Sequence, residues 1–182
     1  MLDHVSSPTV TIAPELPLHA AAIEALNDLT FGPGRFTRAA YRLRDKTTPI
    51  LSLGRVAMAG ARVIGSVQFA PMEIGERHLP ALLLGPLCVH PDHANRGYGK
   101  ALMKAGLEAA RRERHELVIL VGDAPYYARV GFKPVPRGQI TLPGPVDPAR
   151  LLAFELVEGS LVKAKGEVRA GPITQVERPP AS

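Results

Sequence analysis

Residues 84–104, LGPLCVHPDHANRGYGKALMK, constrain the fold more than any other stretch of the chain. An apolar run ends in a polar, glycine-bearing turn, and small and aliphatic residues then recur at helical spacing. Leu87, Cys88 and Val89 read as the end of a buried strand, 90–96 as a loop, and Gly97 onward as the first turn of a helix. The first amides of a helix have no partner within it, and the summed peptide dipoles leave partial positive charge there, so an anion is stabilised at that end. Gly97 and Gly99 carry no side chain to hold a ligand off the backbone, and Arg96 and Lys100 add full charges on either side. A lone G-x-G matches neither the Walker pattern nor the dinucleotide fingerprint. On these residues alone the turn reads either as a phosphate site or as an ordinary helix start.

The strand before the turn contains Gly85-Pro86. Proline cannot donate to a sheet ladder, so inside a central strand it implies a bulge or a splayed pair. A strand that parts from its parallel neighbour leaves unpaired amides along 87–89, where an extended ligand carrying its own amides can pair while its phosphates reach Gly97. The alternative is a bulge closed by side chains. The helix after Gly97 is predicted to bury Leu102, Ala105, Gly106 and Ala109 and to expose Lys104, Glu108, Arg111 and Arg112. Leu117–Val121 is continuously apolar, as in a strand covered on both faces, so it forms a β-α-β unit with 84–89 and runs parallel to it. Tyr126-Tyr127-Ala128-Arg129-Val130-Gly131-Phe132 follows directly and should lie across the same gap, unless both tyrosines are ordinary core residues.

Upstream, Thr9–Ala13 reads as a strand, and a helix from about Pro17 to Leu29 buries Ala20, Ile23, Leu26 and Leu29 before Gly32-Pro33-Gly34 stops it. Thr37 is the predicted N-cap of a short helix that carries Arg38, Arg42, Arg44 and Lys46 outward. Ile50–Ala59 and Arg62–Pro71 form a hairpin about Gly60-Ala61, and Pro80–Val89 adds a third antiparallel strand after a turn at Gly75-Glu76. Downstream, Ala124–Val130 is a short helix, Phe132 begins a strand, Leu151–Leu156 is helix or strand, and Leu161–Val168 is the last strand. The fold class is therefore α/β (α+β): a mixed central sheet of about six to seven strands, an antiparallel meander followed by a β-α-β unit with splayed central strands, and helices on both faces. The 182 residues suit a single domain over 1–175 with a disordered tail at 176–182.

Apolar residues make up 46% and charged residues 21%, an ordinary globular balance. The longest apolar runs are too short to span a bilayer and contain prolines, so no membrane partner is expected. The N-terminus has neither a basic start nor an apolar signal core, which points to the cytoplasm. The lone Cys88 excludes an internal disulfide and any multi-cysteine metal cluster, and His90 and His93 lack a third ligand, so no metal is assigned. The net charge of +5 favours anionic partners, but scattered basic residues and 5% aromatics argue against nucleic acid.

Taken together, the strand LCVHP, the turn ANRGYG followed by KAL, and the segment YYARVGF resemble the GNAT superfamily of N-acetyltransferases, which use acetyl-CoA. The resemblance covers roughly Val63 to Val135, and LPGPVDPARLLAFEL is similar to a small bacterial subgroup of predicted acetyltransferases. One departure is Ala94, where the superfamily places Gln or Arg; a side chain is lost, but no backbone donor. The resemblance implies direct transfer of acetyl from acetyl-CoA to a primary amine of a small molecule or protein. It implies that the pantetheine arm follows Leu87, Cys88 and Val89 and that the diphosphate lies on the turn formed by Ala94, Asn95, Arg96, Gly97, Tyr98, Gly99 and Lys100. Val89 would stabilise the oxyanion through its amide, Tyr127 would donate to the departing thiolate, Tyr126 would pack nearby, and Asp123 would contact the cofactor. The general base is left open among water and the nearby Glu73, Glu76, His90 and Asp92. An acetyl-Cys88 intermediate is disfavoured because lone strand cysteines are usually buried and inert. Substrate choice is expected from Phe31–Arg44 and Gly138–Ala149, with Arg35 and the arginines after it hinting at a carboxylate on the substrate. A non-catalytic acyl-CoA sensor or partner-binding module on the same fold is the alternative, and a homodimer is left open.

Overall fold

The computed structural model describes residues 8–172, with the side chains of Phe36 and Thr37 left aside; the tail expected at 176–182 lies outside the described residues. Strands β1 (Val10–Pro14), β2 (Arg55–Ala59), β3 (Arg62–Ile74) and β4 (Leu79–Val89) pair antiparallel in sequence order. Gly60, at φ 61°, makes the tight turn between β2 and β3. Strand β5 (Leu117–Val121) lies beside β4 and parallel to it, as the crossover requires. Two-residue strands β6 (Lys133–Pro134) and β7 (Ile140–Thr141) follow, then β8 (Leu151–Glu155) and β9 (Gly166–Ala170). The main path β1-β2-β3-β4-β5-β8-β6 has the breadth the sequence predicts, while β9 pairs with the far end of β3 and with β7.

Helices α1 (Ala20–Phe31) and α2 (Ala39–Arg44) cover one face and α3 (Tyr98–Arg112) the other; α4 (Ala124–Ala128) and α5 (Ser160–Lys163) are single turns. Leu102, Met103 and Leu107 of α3 pack with Phe69, Val118 and Leu120 in one core. Ala39, Ala40 and Leu43 of α2 pack with Ala70, Leu83 and Ile119 in the other. Each fully buried Leu or Met contributes about 1.5–3 kcal/mol through loss of apolar surface to water, so the two cores clamp the centre of the sheet from both sides. Among the described residues no helix is long and apolar enough to cross a membrane.

Four local expectations are corrected. The stretch expected as one last strand, Leu161–Val168, divides into the helical turn α5 and the start of β9, which the positive-φ Gly166 opens. Residues Leu51–Leu53 form a 3-10 turn and not the start of β2, because Ile50 N donates to Phe69 O at 2.8 Å and folds the segment over the sheet edge. The inward stripe of α1 is Ile23, Leu26 and Asn27, with Ala20 exposed and Leu29 58% exposed. A 3-10 turn at Pro17–His19, closed by Leu16 N donating to His19 Nδ1, precedes α1 and sets this phase. The residue at the N-cap of α2 is Arg38, not Thr37.

Candidate active site

The ladder between β4 and β5 is short. It pairs Leu82 with Val118 and Leu83 with Ile119, and then it stops. Beyond that point β5 stays bonded on its other edge, Leu120 to Leu152 and Val121 to Leu151, and β4 stays bonded to β3, with Leu87 opposite Val67 and Val89 opposite Gly65. The β3–β4 register shifts between Val67 and Phe69, opposite Gly85-Pro86, so the proline marks a bulge at the splay. His90 donates its amide to Ile64 O at 2.7 Å. Backbone direction alternates along a strand, so the amides of His90 and Cys88 face β3, while those of Leu87 and Val89 face the open side. A cleft of about 530 Å³ opens there, with Gly85, Leu87, Gly122 and Tyr127 in its walls.

One end of this opening is the start of α3. Gly97 has φ 83°, and among the described residues no side chain caps the helix. Ala101 N to Gly97 O, 3.0 Å, closes the first turn, so the amides of Tyr98, Gly99 and Lys100 precede the helical ladder. A Cβ on Gly97 would meet nothing within 4 Å, so glycine is required there by the positive φ and leaves the backbone open to approach. Ala94, Asn95, Arg96, Gly97 and Lys100 are all exposed, and Asn95 also has a positive φ, 60°. Gly99 is buried because the Tyr126 hydroxyl rests where its Cβ would be, which brings α4 against the start of α3.

Tyr127 stands on the opposite wall. Its ring occupies the space that a Cβ on Gly122 would take, and it meets Tyr126 edge-on at 5.0 Å and Phe132 at 5.9 Å. Burial pushes the Tyr127 phenol up to about 12, with Tyr126 adding and Arg44 and Arg150 opposing. The hydroxyl therefore keeps its proton at neutral pH and is a donor. Asp123 is exposed at the start of α4, where its carbonyl accepts from the amides of Tyr126 and Tyr127 at 3.1 and 3.2 Å.

The remaining polar candidates lie elsewhere. The Cys88 thiol turns from the open edge, donating to Asn27 Oδ1 at 3.3 Å and lying 3.4 Å from Ser66 Oγ. Burial raises its pKa, which suppresses the thiolate that a nucleophile needs. His90 Nδ1 accepts from Asp92 N, and Glu73 pairs with His78 at 2.8 Å on a stretch of β3 remote from the splay. Among the described residues no three His, Cys, Asp or Glu groups are arranged to hold a metal.

Arg35 and Arg44, both counted among the arginines that hint at a substrate carboxylate, end in different places. Arg35 is 1% exposed and lies 2.6 Å from both Glu24 and Asp28, so it braces α1 and is spent as a substrate contact. Arg44, predicted to point outward, turns into the cleft, stacked on the Tyr41 ring at 4.8 Å with Nη2 donating to Leu84 O at 3.4 Å. The helical spacing of Ala40, Leu43 and Arg44 carried this signal, which its charge obscured. Phe31 and Arg38 from one predicted specificity segment and Pro145, Val146 and Asp147 from the other also line the cleft.

Residues 53–134 match the model of the acetyltransferase (GNAT) domain family. The chain is similar to the uncharacterized N-acetyltransferase YhbS of Escherichia coli strain K12, 29% identical over 120 residues that span 65% of this chain and 71% of the relative. Its fold superposes on the crystal structure of the Escherichia coli GNAT family N-acetyltransferase YhbS in complex with CoA with a TM-score of 0.76, at 25% identity over 92% of this chain and 94% of the other. A GNAT family acetyltransferase from Brucella melitensis in complex with acetyl-CoA superposes with a TM-score of 0.59, at 28% identity over 80% of this chain and 96% of the other.

Proposed function

From the premise that this chain carries a GNAT acetyltransferase domain homologous to YhbS-like bacterial N-acetyltransferases, we propose that it moves the acetyl group of acetyl-CoA directly to a primary amine, acting in the cytoplasm. The single observation that carries the reading is the β4–β5 ladder that ends at Leu83 and Ile119 and leaves the Leu87 and Val89 amides on the open side of β4, with Leu87 in the wall of a cleft. The CoA and acetyl-CoA complexes of the two structural relatives support the choice of cofactor.

In this reading the extended pantetheine arm pairs with the backbone of Leu87 and Val89, much as a sheet edge takes an added strand. Cys88 lies buried between them in the same strand, and Asp123 meets the cofactor at the start of α4. The amides of Tyr98, Gly99 and Lys100 hold the diphosphate, with Ala94 and Asn95 shaping the turn and the Arg96 and Lys100 cations beside it. Acetyl-CoA supplies an activated acyl group as a thioester. The Val89 amide then donates to the oxyanion that forms when the amine attacks; one such fixed donor is worth about 2.7–4 kcal/mol in the transition state. Tyr127 donates a hydrogen bond to the departing thiolate and keeps its own proton, and Tyr126 fixes the Tyr127 ring. No carboxylate is assigned as base, and the ammonium form of the acceptor loses its proton to water.

Release of free CoA thiol, followed across a panel of primary amines, tests the reading. Amine-dependent thiol release is expected. Tight CoA binding without turnover on any amine would make the chain a non-catalytic acyl-CoA-binding module.

A further inference from the structure

Arg44 is a cation with an unfinished set of contacts. A guanidinium has five donors and carries its charge at any ordinary pH, so enclosing it without an anion is costly. Of these donors, Nη2 reaches Leu84 O at 3.4 Å, while Nε is sealed from solvent and has no hydrogen-bond partner among the described residues. The neighbouring α2 C-cap Asp45 is exposed and forms no ion pair with it among the described residues. Burial pulls the Arg44 pKa down to about 10, with Tyr41, Tyr127 and Asp45 compensating only in part. Room for the guanidinium is built into the chain: a Cβ on Gly85 would collide with Nη2, and Gly85 has φ 126°, a conformation closed to most side chains. The position is thus constructed around the charge from two elements, α2 beneath it and the β4 bulge against it.

The charge also faces the right space. Arg44 and Tyr127 line one cleft, together with Arg38 and Arg150, both exposed. The two carboxylates in that lining are Asp123, on the α4 side, and Asp147, whose Oδ1 accepts from Ala149 N at 2.9 Å. We propose that Arg44 is the acceptor-recognition residue, and that the amine acetylated in this cleft bears a carboxylate that docks on the Arg44 guanidinium. A carboxylate fits better than a phosphate dianion. One enclosed cation with a backbone carbonyl already at its side balances a single negative charge, and the planar fork suits planar oxygens.

This inference rests on the acetyl-transfer reading, and the experiment separates the two. Acetylation is measured with glycine, β-alanine and γ-aminobutyrate, each against its carboxamide, in the wild type, Arg44→Gln and Arg44→Lys. The wild type is expected to favour at least one carboxylate over its amide by about tenfold or more in kcat/KM. Arg44→Gln erases that preference, Arg44→Lys restores part of it, and the KM for acetyl-CoA stays within about twofold in both. Equal use of acids and amides, an unchanged preference in Arg44→Gln, or an Arg44→Gln defect confined to the KM for acetyl-CoA would overturn the proposal. Binding of the N-acetylated acids and their carboxamides to the wild type by calorimetry needs neither turnover nor a variant. Tighter binding of an acid by about tenfold supports the Arg44 subsite even where no amine is turned over, and equal or absent binding of all of them overturns it.

Discussion

Tyr127 illustrates how a residue's surroundings decide its chemistry. An exposed phenol would titrate near 10, but burial against Gly122, Tyr126 and Phe132 pushes this one up to about 12, so it is a durable donor and a poor acid. Tyr127→Phe is predicted to lower kcat by about tenfold to a hundredfold while the KM for acetyl-CoA changes by less than about twofold, read from steady-state kinetics. The sign of the linkage follows from the raised value. The folded state holds the proton longer than the unfolded chain, so the contribution to stability is complete below about pH 10 and is lost as pH rises towards 12. Tyr127→Phe should therefore lack part of the alkaline fall in melting temperature over that window. The tyrosine was legible because a short motif fixes it beside a glycine and a phenylalanine. Arg44 was legible only as one of several arginines after Arg35 that hinted at a substrate carboxylate, because a basic run does not say which of its charges turns inward, and only the contacts of Ala40 and Leu43 reveal which face of α2 is buried.

Elements meet in this protein at glycines. Gly106 lets α3 lie directly on β3, and an added Cβ there would run into the Phe69 ring and approach Leu53 O to 3.5 Å. Alanine is the better helix former by about 1 kcal/mol, but overpacking costs about 1–3 kcal/mol against a fully buried ring. Gly106→Ala is thus predicted to lower the melting temperature by up to about 8 °C, and a rise would show that α3 is free to move outward. The element types of β1 through β5 and α3 could be read from apolar periodicity, since each presents a face to one of the two cores. The Leu51–Leu53 turn could not. Its apolar residues mimic a strand, and its shape is set by a hydrogen bond to Phe69, distant in sequence.

At the scale of the whole molecule, the fold does one thing unusual for a sheet: it holds two neighbouring strands together at one end and apart at the other. β3 and β8 supply the outer bonds that let β4 and β5 diverge without unravelling, and α3 and α4 bracket the divergence. Gly85-Pro86 announced the break in the sequence, whereas the closing of α4 onto Gly99 and the pairing of β9 with the far end of β3 depend on contacts between distant segments. The binding roles assigned to Leu87, Val89 and the α3 amides follow from that divergence. A crystal structure of the protein with acetyl-CoA tests it most directly. The account predicts a pantetheine arm hydrogen-bonded to the backbone of Leu87 and Val89, a diphosphate on the amides of Tyr98, Gly99 and Lys100, and the thioester beside Tyr127. A cofactor bound outside the β4–β5 cleft, or strands that close on each other with acetyl-CoA present, would contradict it.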